Sequence, residues 1–138
     1  MKKNDILVSS TGYVSLGKVA VHDREEIVVV DWHVSVLRLK AGYDPYFVTY
    51  FLRSHLGQIQ FEKWFSGASG QIDIWPDDLN QFIVPEDSEK GVPFGKQREI
   101  ADRITKKLIQ AGKLEEAAMD KLEESKNTFE RLFYNENS

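Results

Sequence analysis

The 138-residue sequence contains no cysteine, which excludes disulfide bonds, cysteine-ligated zinc and thiol catalysis. No window approaches eighteen apolar residues, so no segment is expected to cross a membrane. The Met1-Lys-Lys-Asn-Asp5 start has no apolar signal region behind it. Together these absences point to the cytoplasm. Positive charge is not in excess either. The formal net charge is −4, with 10 basic and 13 acidic groups in residues 1–96 (−3) and 8 and 9 in residues 97–138 (−1). Neither part has the basic footprint typical of nucleic-acid binding, and phosphate contacts ordinarily supply much of DNA affinity. Proline and glycine are missing from the C-terminal third: from Gln97 to Tyr134 there is no proline and a single glycine, Gly112.

That last absence predicts one long helix. Within it, Gln97, Ile104, Ala111, Ala118, Ser125 and Leu132 recur every seven residues, interleaved with Ala101, Leu108, Glu115, Leu122 and Phe129. Eight of these eleven positions are apolar, which predicts a coiled-coil seam. The small residues Ala111 and Ala118 would let a partner helix approach closely. At 1.5 Å per residue the helix spans on the order of 55 Å, too long to bury its stripe on so small a domain. The chain is therefore expected to be half of an assembly; a helix folded back on its own domain is the alternative.

Upstream, the patterning predicts an α+β domain with a small, mostly antiparallel sheet and two packed helices. Ile6–Ser9, Lys18–His22, Ile27–Val30 and Val34–Leu39 read as strands joined by short turns, with Gly12 and Gly17 bracketing a turn around Tyr13. The continuous β-branched run Ile27–Val30 suggests a strand buried on both faces. Asp44-Pro45 is an N-cap followed by a proline in the first turn, opening a helix to about Ser54 with Phe47, Tyr50, Phe51 and Ser54 on one face. A second helix, Leu56–Phe65, stops at the loop Ser66–Gly70. Pro76–Leu79 carries a one-turn helix signature, and Gln81–Val84 reads as a final strand ended by Pro85. The expected organisation is a domain over 1–85, a connector over 86–96 and the long helix over 97–134.

The chemistry-bearing residues do not form an enzyme site. Ser10-Thr11-Gly12 lacks the frame of a nucleophile elbow. His22, His33 and His55 lie on different elements without metal-ligand spacing; Asp31-Trp32-His33 is the one worth watching, since a polar group at a strand crossing can face a partner. Ser10–Lys18 fails the P-loop pattern in its glycine spacing, in the residue after the lysine and in the strand that follows. Asp77-Asp78 reads as a turn or capping cluster, Glu123-Glu124 as a solvated helix face. The aromatic residues Tyr46, Phe47, Tyr50, Phe51, Phe61, Trp64 and Phe65 fall at helical spacing and read as core. The glycine- and hydroxyl-rich loops are either plain turns or surfaces that approach nucleic acid with hydrogen bonds rather than charge.

The order of segments resembles a known family. Asn4–Gly12, Gly17–Val21, Val34–Leu39, Asp44–Ser54 with Gly57-Gln58, Ser66–Gln71, Asp78-Leu79 with Phe82–Pro85, and Gln97–Ile100 together resemble the second half of a target recognition domain and the start of a spacer helix. Such domains belong to the specificity subunits of type I restriction–modification systems. Each motif is weak alone; their order over nearly the whole chain is more specific.

The resemblance implies a non-catalytic reader of double-stranded DNA without a cofactor of its own. It also implies docking to a methyltransferase subunit that carries S-adenosylmethionine and, indirectly, to a restriction subunit. The sequence departs from that pattern. It has one recognition domain and one long helix, lacks the domain's usual N-terminal strands, and inserts Glu86–Gly91 before Val92-Pro93. It fits a half-subunit, a fragment or the tail of a methyltransferase fusion.

On this reading Ser10, Thr11, Tyr13 and Lys18 in the first loop and Ser69 and Gln71 in the second contact DNA. Hydroxyl and amide groups would read base edges, and Lys18 would meet phosphate. Ile104, Leu108, Ala111, Ala118, Leu122 and Phe129 form the partner surface of a homodimer. The alternative is a protein–protein interaction module with a coiled-coil dimeriser and no role on DNA.

Overall fold

The computed structural model describes residues 1–68 and 71–136. It is an α+β fold. A three-stranded antiparallel sheet has the order β2-β1-β3, with β1 Ile6–Ser9 between β2 Val19–Val21 and β3 Val34–Leu37. Helices α1 (Pro45–Arg53) and α2 (His55–Trp64) follow, then an antiparallel ribbon of β4 (Ser66–Ala68) and β5 (Gln71–Asp73). A single turn of helix, α3 (Pro76–Leu79), precedes the 43-residue α4, Phe94–Glu136. The chain divides into two compact units, Met1–Ala101 and a second from Asp102 onward. Among the described residues no helix is long and apolar enough to cross a membrane.

The core of the first unit sits between the sheet and α1. Ile6 and Val8 alternate inward from the central strand and are fully buried, packing with Val19, Val48, Leu52 and Phe61. Asp44 caps α1 as expected, its carboxylate accepting the Phe47 N–H at 2.9 Å. The face that α1 buries is Phe47, Val48, Thr49 and Leu52, rather than the expected Phe47, Tyr50, Phe51 and Ser54. The sheet lies against the aliphatic side, so Tyr50 and Phe51 pack at the margin and Ser54 becomes the extended residue that joins the two helices. The chain turns there because Gly57 has no side chain: a Cβ would lie 2.3 Å from the Leu52 carbonyl oxygen.

Two expected strands are absent. Ile27–Val30 forms no strand, and Val29 is 92 % exposed. Asp31 turns the chain, its carboxylate accepting the His33 N–H at 2.9 Å and its carbonyl the Val34 N–H, and the run's Val28 carbonyl accepts from the Met1 ammonium at 2.8 Å rather than from a strand. A strand needs a partner edge, which intrinsic preference does not supply. Gln81–Val84 forms no strand: Gln81 and Phe82 close the turn after α3, their N–H groups donating to the Asp78 and Leu79 carbonyls at 3.0 and 3.2 Å. The Gln60 side chain takes both backbone groups of Ile83, accepting its N–H at 2.7 Å and donating to its carbonyl at 3.0 Å. Ser66–Ala68, expected as loop, instead pairs with Gln71–Asp73.

The long helix starts three residues earlier than expected because the acidic insertion caps it. Asp87 accepts the Phe94 N–H at 2.9 Å, and the loop closes on itself through Val92 N–H to the Glu86 carbonyl at 2.8 Å. Gln97 and Ala101, expected as seam positions, are buried within the first unit instead. Gln97 donates to the Val92 carbonyl at 2.8 Å, so the first turns of α4 belong to the domain core.

Beneath β1 the Arg38 guanidinium holds the nearly fully buried Asp5 in a two-point pair at 2.8 and 2.7 Å. That hydrogen bonding, against the opposing effect of burial and helped by the Lys2 N–H, lowers the Asp5 carboxyl from 3.8 to about 2. A depressed acid stabilises the fold fully above its unfolded value and loses that contribution as pH falls through the folded one. With Arg38 61 % exposed and partly screened, the contribution is about 1–2 kcal/mol. Arg38→Met should therefore destabilise the protein near neutrality, and the difference from wild type should shrink as pH drops from about 4 to about 2. Urea unfolding across that range checks it; a pH-independent difference would contradict the assignment.

Candidate nucleic-acid interface

The first predicted loop is a compact turn. Gly12 and Gly17 have φ of +87° and +76°, a region that glycine enters without the Cβ penalty. Between them the Leu16 N–H donates to the Gly12 carbonyl at 2.8 Å and the Ser15 hydroxyl to the Thr11 carbonyl at 2.7 Å. The Ser9 N–H donates to the Lys18 carbonyl and the Gly17 N–H to the Ser9 carbonyl, closing the base. Tyr13 is left 76 % exposed beside exposed Val14, and Lys18 points into solvent at the start of β2.

The second loop's strand is bonded directly to the first. The Gly12 N–H donates to the Ile72 carbonyl at 2.9 Å, and the Ile74 N–H to the Ser10 carbonyl at 2.9 Å. Thr11 and Asp73 form an antiparallel bridge. Buried Ile72 and Ile74 hold β5 to the domain while Gln71 faces out. Tyr13, Lys18 and Gln71 are thus exposed on two connected segments. Ser69 lies outside the described residues.

Two expected contact residues have internal duties. Ser10 is only 4 % exposed and continues β1, its N–H donating to the His33 carbonyl at 2.8 Å. The Thr11 hydroxyl is 2.5 Å from His33 Nδ1. Of the histidines, His22 is buried with Nε2 2.8 Å from the Glu26 carbonyl. Among the described residues no group of three or more acidic or histidine side chains is arranged to hold a metal ion.

Sequence reasoning missed a cavity of ≈ 550 Å³ beside this loop, lined by Thr11, Trp32, Val34, Val36, Asp73 and Trp75 among others. The one available signal was Asp31-Trp32-His33, where Trp32 lies over the His33 ring with centroids 3.6 Å apart.

In the second unit, Ile104, Leu108, Leu122 and Phe129 remain partly or largely exposed, as do Leu114, Met119 and Leu132. Ala111 and Ala118 are exposed as well. Lys121–Glu124 and Lys126–Glu123 ion pairs at 2.6 and 3.6 Å stand on the charged side.

No protein-family model matches this sequence, and no curated protein matches it significantly.

The loop geometry predicts that Gly12→Ala is costly, because φ is positive and the new Cβ would lie 2.8 Å from Ser15 Oγ. A loss of about 1–2 kcal/mol is expected in urea unfolding. An unchanged midpoint would show that the turn can relax.

Proposed function

We propose that this chain is a non-catalytic reader of DNA sequence, acting as all or part of a type I restriction–modification specificity subunit that positions a methyltransferase. The observation that carries the reading is the direct joining of the two predicted contact segments. Gly12 N–H to Ile72 O and the Thr11–Asp73 bridge make one surface of residues far apart in sequence. The ordered series of sequence motifs adds to it. Tyr13 and Gln71 offer hydrogen-bonding groups for base edges, and Lys18 offers a cation for phosphate. Ser10 is buried and supports the loop from within, while the partly exposed Thr11 holds His33 beside the same surface. S-adenosylmethionine would be held by the methyltransferase, and cleavage by a restriction subunit, in the cytoplasm.

The net charge of −4 makes strong binding by the isolated chain unfavourable, so the methyltransferase supplies much of the positive surface. A methyltransferase–chain complex should bind its methylated duplex more tightly than the methyltransferase alone. Lys18→Ala should lower the slope of log affinity against log salt by about one contact. Equal binding with and without this chain would sink the proposal.

The exposed apolar series of the second unit favours a helix partner, and the simplest one is a second copy with a closed two-fold. That same feature supports the other reading, a protein–protein module without DNA. Light scattering should give twice the monomer mass at tens of micromolar, and Leu108→Glu with Leu122→Glu should halve it. A monomeric wild type would remove the homodimer.

A further inference from the structure

The sheet ends at β3 with an open edge. The Ser10 N–H bond to the His33 carbonyl sets the alternation, so with Val8 opposite Ser35 and Ile6 opposite Leu37, these residues direct their backbone groups at β1. The Val36 N–H and carbonyl and the Val34 carbonyl then face away from the sheet, and no hydrogen bond to them occurs among the described residues. They border the ≈ 550 Å³ cavity, whose far wall is Asp73–Pro76 with Leu79, and a second cavity of ≈ 400 Å³ continues along β3 past Leu37 and Leu39 to Tyr43. The two share Val36, Leu37, Leu79 and Asn80, forming one trough along the strand.

The two ends of this trough differ in chemistry. At one end Trp32 and Trp75 are 77 % and 61 % exposed, a large indole area left to solvent. Asp73 lines the cavity beside them, and its carboxylate makes no hydrogen bond or ion pair with the described residues. Asp77, the second residue of α3, is exposed nearby in sequence. Two aromatic faces with an uncompensated carboxylate suit a cation, which gains from the ring quadrupoles and the negative charge together. They disfavour a phosphate. The other end carries Lys40 and Arg38, the latter already paired with Asp5.

We propose that this trough takes an extended peptide segment of a partner protein, which adds a strand to the free edge of β3 and places an arginine or lysine side chain between Trp32 and Trp75 beside Asp73. Main-chain bonds to Val34 and Val36 provide attachment, and the cation provides selectivity. Apolar side chains at alternate positions fill the space against Leu79. The inference does not rest on the DNA reading: a protein that reads no DNA has the same trough.

The test uses the full chain and fluorescein-labelled eight-residue peptides of alternating threonine and valine, carrying arginine, serine or glutamate at one central position. Anisotropy should rank arginine above serine above glutamate, with arginine favoured over glutamate by about tenfold or more. Asp73→Asn should reduce that preference several-fold. Trp32→Ala with Trp75→Ala should weaken the arginine peptide while leaving the far-ultraviolet circular dichroism unchanged. Edge pairing is checked without altering the protein: N-methylation at alternate residues should abolish binding in one register and spare it in the other. Arginine and glutamate peptides of equal affinity, insensitivity to N-methylation in both registers, absence of binding at millimolar peptide, or displacement by short duplex DNA would each overturn the proposal.

Discussion

The segment Asn4–Gly12 is hydrogen-bonded along both of its edges, and the first unit is assembled around it. One edge takes β2 through Lys18 and His22; the other takes β3 through His33. Beyond the last residue of β1 the same backbone continues, accepting Ile74 N–H at Ser10 and donating to Ile72 from Gly12. A buried strand with all its polar groups paired is stable only while both neighbours remain. The Gly12–Gly17 loop, the β4–β5 ribbon and the open trough therefore share one support. That is why two different surfaces, a loop with Tyr13 and Lys18 and the trough end where Asp73 lies with Trp32 and Trp75, sit on elements bonded to the same strand.

Elsewhere single side chains replace regular pairing. The Gln60 amide satisfies Ile83 as a neighbouring strand would. Asp87 supplies the cap of α4, and Gln97, fully buried, ties the helix start to the Val92 carbonyl. Each satisfies a backbone group that no strand or helix neighbour pairs, Gln60 and Asp87 near the surface and Gln97 from within the core. Such substitutions leave no periodic trace, so a final strand was expected where Gln60 and Ile83 meet.

The long helix shows how one pattern can serve two environments. Its heptad positions begin inside the domain core, with Gln97 and Ala101 buried, and continue as exposed apolar residues from Ile104 through Phe129. The period says that these residues share a face; it does not say which partner covers each part of it.

The sequence by itself determined the features that depend on a few consecutive residues. The Asp44-Pro45 helix start, the Gly12 and Gly17 turn, the single turn at Pro76 and the uninterrupted C-terminal helix arise from local sterics and capping. Backbone geometry within about four residues decides these. Tertiary structure decided everything that needs a neighbour: that Ile27–Val30 joins no sheet, that Ser66–Ala68 becomes a strand, that Val48 and Leu52 face the core, and that Trp32, Asp73 and Trp75 meet in one trough. Pairing and burial are properties of two segments together, and no residue carries in its own identity which distant segment will lie beside it.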